Sequence, residues 1–115
     1  MATNSTEPKV RHGHPRFYQL LEQAADLHSR KNSNYASSAD PLSNLTLCED
    51  FSVPAHIGTM VRMSDKWSRL TQLIGGKKDA VGESIKDTLM DLAIYCFLMI
   101  ILLERYEDSN SAVTS

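Results

Sequence analysis

Three carboxylates recur at four-residue intervals towards the C-terminal end of the sequence: Glu83, Asp87 and Asp91. On a helix this spacing puts all three on one stripe, where like charges repel each other. Asp91 also interrupts an apolar run, residues 89–103, where an unpaired carboxylate is costly. Mg²⁺ prefers carboxylate oxygens and often shares them with phosphates, so the stripe indicates a metal and phosphate site. Alternatively, Glu83 and Asp87 face solvent and Asp91 pairs with a cation on the neighbouring helix.

A second charged pattern precedes these carboxylates, and it consists of Arg62, Asp65, Lys66 and Arg69 on one face of a helix. Arginine and lysine at this spacing can hold phosphate oxygens, arginine through a two-pronged hydrogen bond. The alternative is a solvated helix face with local ion pairs.

Further candidate ligand-binding residues lie around the end of the first helix. Lys31 and His28 fall close to an apolar helix face, from which they could point into a pocket. Asn34 and Tyr35 follow, and Tyr35 could stack on a base, although an ordinary core tyrosine is the alternative. Asn44 follows a proline turn, where it could cap the next helix as well as touch a ligand.

Apolar spacing predicts three main helices that position these residues. The first begins at Pro15 and fades near Asn32, and a short helical piece covers 45–51. The next helix starts around 52–54 and ends at Ile74, before two glycines, with Trp67 as a core anchor. The last runs from about Val81 to Tyr106. Residues 14–106 are therefore predicted to form one domain, between disordered tails at 1–13 and 107–115.

The pattern predicts an all-α fold, a small helical bundle with a long apolar C-terminal helix. That helix is apolar nearly all round and the other helices are few, so we expect homo-oligomerisation, to a dimer or larger, with 92–103 at its centre. The apolar run is too short for a comfortable membrane span and contains Asp91, so no membrane association is expected.

Composition narrows the classes of partner and compartment. The formal net charge of -2 gives no electrostatic reason to expect binding to a nucleic acid polymer. Cys48 and Cys96 are far apart and form no paired motif, which favours a reducing, cytoplasmic location over a secreted disulfide scaffold. The N-terminal segment has no apolar core typical of a signal peptide.

Three ordered blocks carry a family resemblance: KNSNYASSADPLSN, GTMVRMSDKWSRLTQL and ESIKDTLMDLAIYCFLMIILLE. Together they resemble short phage and prophage proteins described as nucleotide-modification-associated, which group with the all-alpha MazG-like nucleotide pyrophosphohydrolases. The resemblance covers roughly residues 17–104. It implies a helical bundle assembled as dimers or dimers of dimers, with Mg²⁺ (or Mn²⁺) held by acidic residues on two helices. A phage protein of this kind would work in the host cell cytoplasm.

By position, the resemblance makes Glu83, Asp87 and Asp91 the counterparts of the acidic motif on the second metal-binding helix of the MazG-like enzymes. It implies catalytic roles for Glu83, Asp87 and Lys66. The residues at 62–69 match the basic block of the phage family. The first metal motif, two glutamates three residues apart, is absent, and Glu22 and Asp26 have a different spacing. Asn34 stands where the phage family commonly has an acid.

Three functions follow as hypotheses. The first is a metal-dependent pyrophosphohydrolase acting on nucleoside or deoxynucleoside triphosphates. The second is a non-catalytic sponge that binds a nucleotide signal of host immunity and needs no cofactor, which the missing acidic ligands favour. The third is a structural protein whose last helix only makes a dimer, because a fold alone does not fix a function.

Overall fold

The computed structural model describes residues 11–35, 40–76 and 84–114, with the side chains of residues 34, 35 and 112–114 outside that description. Within these ranges the chain is helical and contains no β-strand, which confirms the predicted all-α class. The helices are α1 (Pro15–Tyr35), α2 (Ser43–Thr46), a 3₁₀ helix (Leu47–Phe51), α3 (Ala55–Ile74) and α4 (Ile85–Thr114). Residues 1–10 of the predicted N-terminal tail lie outside the described residues.

The ends of α1 and α3 follow from proline and glycine. Pro15 opens α1, where its missing N–H costs no helical hydrogen bond. Pro54 precedes α3, and Gly75 donates its N–H to the carbonyl of Thr71 at 3.0 Å to close it. Gly76 then takes a φ of 93°, a conformation that glycine adopts readily because it has no Cβ.

The last helix differs from the sequence-based expectation at both ends. It begins at Ile85, after Ser84, and continues to Thr114 instead of ending near Tyr106. Residues 107–114, expected to be part of a disordered tail, are therefore helical. No glycine or proline follows Tyr106, and extending an existing helix by one residue costs little compared with starting one.

A small core forms between α2, the start of α3 and the C-terminal half of α4. Leu42, Leu45, Ala55 and Leu102 are its buried members, and Tyr95 and Leu98 pack against it. Helices α3 and α4 pack extensively on each other, whereas α1 contacts α4 much less. The core consequently rests on the α3–α4 pair, with α1 attached at its side.

Many of the predicted core side chains are exposed in the single chain. On α3, Leu70 is buried, but Trp67 is 60% exposed, so its prediction as a core anchor is wrong. The buried face of α3 contains Thr59 and Leu70. Trp67 and Leu70 are three residues apart and belong to the same wide apolar stripe of α3. Trp67 lies at the edge of this stripe, outside the contact with α4.

None of the helices in the described ranges is long and apolar enough to cross a bilayer.

Candidate functional site

A cavity of about 260 Å³ lies where the end of α1, the α2 segment, α3 and α4 meet. Each long helix contributes residues three or four positions apart, which is the spacing of one helix face. The polar and charged part of the lining consists of His28, Lys31, Asn32, Asn44, Arg62, Lys66 and Asp91. The remaining lining residues are Pro41, Leu42, Leu45, Ile94, Tyr95 and Leu98.

The centre of the charged part is a three-residue ion cluster. Lys31 Nζ of α1 donates to Asp91 Oδ1 at 3.1 Å, and Lys66 Nζ of α3 donates to Asp91 Oδ2 at 2.9 Å. The side chain of Asp91 is only 11% exposed, compared with 26% for Lys66 and 45% for Lys31. One largely buried carboxylate on α4 therefore holds two ammonium groups from two other helices at the cavity.

Two further contacts fix the wall of the cavity formed by residues 40–45. Arg62 Nη2 donates to the carbonyl oxygen of Asn44 at 3.2 Å, which ties α3 to α2. Asn32 Nδ2 donates to the carbonyl oxygen of Pro41, which ties the end of α1 to the same segment. With Lys31 and Lys66, Arg62 gives the lining three cationic side chains against the one carboxylate of Asp91. An excess of positive charge is typical of an anion site.

Asp40 anchors the beginning of this wall to α4. Its carboxylate accepts hydrogen bonds from Arg105 at 3.2 and 3.4 Å and from the N–H of Leu42 at 3.0 Å. The Arg105 hydrogen bond, and next the one from Leu42, hold the pKa of Asp40 below its usual value. Asp40 thus stays ionised and keeps the wall attached at neutral pH.

Asp87 lies one turn before Asp91, and its carboxylate is hydrogen-bonded at the start of α4. Its Oδ2 accepts the backbone N–H of Ser84 at 3.2 Å, and its own N–H donates to Ser84 Oγ at 3.0 Å. This reciprocal arrangement is a capping box, which satisfies two backbone donors at the helix start. The Ser84 N–H, then the Ser84 side chain and the charge of Lys31, hold the pKa of Asp87 below its usual value despite opposing desolvation.

We expect Ser84→Ala to lower the free energy of unfolding by about 1 kcal/mol at neutral pH, as loss of an N-cap side chain usually does.

Asp87→Asn should lower the free energy of unfolding by an amount that depends on pH. Because folding lowers the pKa of Asp87, its stabilisation is full above the unfolded-state pKa and is lost as pH falls through the lower folded-state value. Urea unfolding across acid pH should show wild type and Asp87→Asn converging. A constant difference at all pH values would contradict this role.

The structure brings together six of the candidate residues predicted from the sequence at one cavity: His28, Lys31, Asn44, Arg62, Lys66 and Asp91. Three others lie elsewhere. Arg69 is half-buried about one turn further along α3 and is not among the described lining residues, Asp65 is exposed, and Asp87 caps α4. Glu83 and the side chains of Asn34 and Tyr35 lie outside the described residues.

The two described carboxylates of the predicted metal stripe, Asp87 and Asp91, are engaged by other groups of the chain. Both oxygens of Asp91 accept ammonium hydrogen bonds, and Asp87 binds the α4 N-terminus. Among the described residues, no three His, Cys, Asp or Glu side chains cluster with ligand geometry. A divalent cation shared by Asp87 and Asp91 would have to displace these donors.

Three lining residues of α4 were missed by sequence reasoning: Ile94, Tyr95 and Leu98. They follow Asp91 by three, four and seven residues, which is the spacing of one helix face. The helix face of Asp91 is therefore the sequence feature that indicates these three residues. The spacing of the charged residues alone indicates Asp87 and Glu83 instead.

Comparison with known proteins adds no assignment to this geometry. No protein-family model, curated protein or solved structure matches the chain. The resemblance to the phage family therefore rests on the three sequence blocks.

Proposed function

We propose that this chain binds a nucleotide in the cavity between α1, α2, α3 and α4. The observation that carries the proposal is the convergence of Lys31, Arg62 and Lys66 on one small cavity with a single carboxylate. Ammonium and guanidinium groups are the side chains that bind phosphate oxygens most strongly, through charge-assisted hydrogen bonds. The phosphate end of the ligand would lie against these three residues.

The other half of the cavity suits a base. Leu42, Leu45, Ile94 and Leu98 make it apolar, and Tyr95 adds an aromatic ring. Small-molecule sites commonly combine an apolar lining with a few polar groups that fix orientation. A base stacked on Tyr95, with Asn44 near its polar edge, would match this division of the lining.

Binding without turnover is the form of this function that the geometry supports best. Asp91 is engaged by two lysines and Asp87 by the helix start, so neither carboxylate is disposed towards a metal ion. The first metal motif of the related enzymes, two glutamates three residues apart, is absent from the sequence, which also favours binding without turnover. In a phage setting, such a protein would act in the host cytoplasm as a sponge that removes a nucleotide signal of host immunity, with no cofactor.

The competing proposal is a Mg²⁺- or Mn²⁺-dependent nucleoside triphosphate pyrophosphohydrolase. It is favoured by one observation, since Asp87 and Asp91 stand one turn apart on α4 and Glu83 precedes them at the same interval. In that reaction, Lys66 would stabilise charge that develops on the phosphates. The carboxylates would first have to exchange their present hydrogen bonds for metal.

We also propose that the protein is a homo-oligomer, a dimer or larger, with the apolar part of α4 near its centre. Phe97, Ile100 and Ile101 are each more than 40% exposed in the single chain, which is unusual for adjacent large apolar side chains. Light scattering that gave a stable monomer at micromolar concentration would contradict this.

One incubation separates the two functions. The protein is mixed with ribo- and deoxyribonucleoside mono-, di- and triphosphates and with cyclic nucleotides, in EDTA or with Mg²⁺ or Mn²⁺. Bound nucleotide and reaction products are then both quantified by chromatography. We expect a nucleotide to be recovered unchanged from the protein in EDTA. Formation of a monophosphate and pyrophosphate only with metal would establish the hydrolase instead.

A further inference from the structure

The cavity proposed to bind a nucleotide is small, and its size limits the ligand. Its volume is about 260 Å³. Sites for drug-sized molecules usually enclose about 300–1,000 Å³, and a single nucleoside with one phosphate group belongs near the lower end of that range. Two linked nucleotides are far larger. The volume therefore favours one nucleotide over a dinucleotide or a longer oligomer.

The cations of the cavity are gathered around one point. Lys31 Nζ and Lys66 Nζ lie 3.1 and 2.9 Å from the two oxygens of one carboxylate, that of Asp91. Arg62 precedes Lys66 by one turn of α3, a spacing at which side chains are neighbours about 5–6 Å apart. An ammonium group has three N–H donors, so a lysine can hold Asp91 and a phosphate oxygen together. With charge-assisted hydrogen bonds of about 2.8 Å, one phosphate group can reach all three cations.

The charges of the lining set how much negative charge the ligand can bring. Among the described lining residues, three cations and one carboxylate leave an excess of two positive charges, with histidine counted as neutral. A phosphate monoester carries about 1.5 to 2 negative charges at neutral pH. One monoester therefore balances the described lining. Each further phosphate adds negative charge that no cation of this lining compensates and that Asp91 repels.

The described lining outside these four charged residues is uncharged and mostly apolar. Along α4, Ile94 and Leu98 follow Asp91 on the same helix face, and Leu42 and Leu45 belong to the wall formed by residues 40–45. Apolar side chains cannot replace the water that a phosphate group loses when it enters a cavity. This part of the lining suits the base and the sugar, and the phosphate is left to the cations.

On the basis of the proposed nucleotide site, we infer that its ligand is a mononucleotide with a single phosphate monoester, which Lys31, Arg62 and Lys66 bind together. A nucleoside triphosphate, the substrate of the competing hydrolase, is bound less tightly. If the protein acts as a sponge, the nucleotide signal that it removes is a mononucleotide.

Affinity as a function of phosphate number tests this ligand class. The full chain is titrated calorimetrically in EDTA with the nucleoside, its monophosphate, diphosphate and triphosphate, and its cyclic monophosphate, for each of the common bases. We expect the monophosphate to have the lowest Kd, with each added phosphate raising the Kd roughly tenfold. The cyclic monophosphate is a diester with one negative charge and should also bind more weakly than the monoester. The nucleoside alone should not saturate the site.

Two added lysines test the charge balance. Asn44→Lys adds a cation to the described lining, and Gln72→Lys adds the same charge on an exposed part of α3 outside it. For each protein, the Kd of the triphosphate is divided by the Kd of the monophosphate, a ratio that cancels differences in the folded fraction. We expect this ratio to fall about tenfold in Asn44→Lys, the cost of one phosphate, and to stay at the wild-type value in Gln72→Lys.

The outcomes separate the phosphate count from nucleotide binding itself. A diphosphate or triphosphate that binds wild type as tightly as the monophosphate, or more tightly, would overturn the single phosphate and leave nucleotide binding in place. A Kd ratio that Asn44→Lys does not lower would overturn it too, because charge would then not limit the phosphate number. Absence of binding by every nucleotide would overturn both the ligand class and the proposed function.

Discussion

Replacing Asp91 with asparagine should lower the free energy of unfolding by about 2 kcal/mol in EDTA, a value between those for exposed and fully buried ion pairs. Asparagine keeps the shape of the side chain but leaves the ammonium groups of Lys31 and Lys66 without their shared counter-charge. Both lysines are partly exposed and can turn towards water, which limits the loss. For a domain of this size the melting temperature should fall by about 10 °C.

Asp108→Asn is the matched control, because it removes an exposed carboxylate from the same helix. Its melting temperature should stay close to that of wild type. If Asp91 instead belonged to a crowded acidic metal site, neutralising it would relieve repulsion and raise stability in EDTA. A higher melting temperature for Asp91→Asn would therefore contradict the ion cluster and favour the metal site.

Replacing Lys66 with methionine should raise the Kd for the nucleotide about thirtyfold, because one charge-assisted hydrogen bond contributes roughly 2 kcal/mol. Methionine retains most of the apolar stem, and Asp91 keeps its contact with Lys31. The effect should therefore appear in binding more than in folding. Isothermal titration calorimetry in EDTA, with the nucleotide recovered in the incubation experiment, measures it.

Lys86→Met provides the control for this variant. Lys86 is an exposed lysine of α4 that does not line the cavity proposed to bind the nucleotide. Its nucleotide affinity should match wild type at the same ionic strength. Equal Kd values for Lys66→Met and wild type, with both proteins folded, would remove Lys66 from the binding site.

The elements with clear local signals could be predicted from the sequence. Pro15 marks the start of α1, and Pro54 and Gly75 flank α3, because proline and glycine act through the backbone alone. Helix α4 ends at Thr114, beyond the predicted end at Tyr106, because a polar composition is typical of a tail and of an exposed helix alike. Polar residues without glycine or proline can equally continue an exposed helix.

The site was predicted in part. Lys31, Asn44, Arg62, Lys66 and Asp91 come from four separate segments, and the structure brings them to one cavity. The partner of Asp91 could not be chosen from one sequence, since a metal ion and a lysine both compensate a buried carboxylate. The position of Trp67 likewise depends on how α3 rotates against α4, and one residue along a helix changes its direction by about 100°.

Nucleotide binding without a metal ion is tested most directly by a calorimetric titration of the wild-type protein. The ligand is the nucleotide recovered in the incubation experiment, and the titration is done first in EDTA and then in Mg²⁺. We predict saturable binding in EDTA, an affinity that Mg²⁺ does not increase, and weakening with added salt, as expected for phosphate held by lysine and arginine. No binding in EDTA, with binding and pyrophosphate release only when Mg²⁺ is present, would contradict a metal-independent site built on Lys31, Arg62 and Lys66.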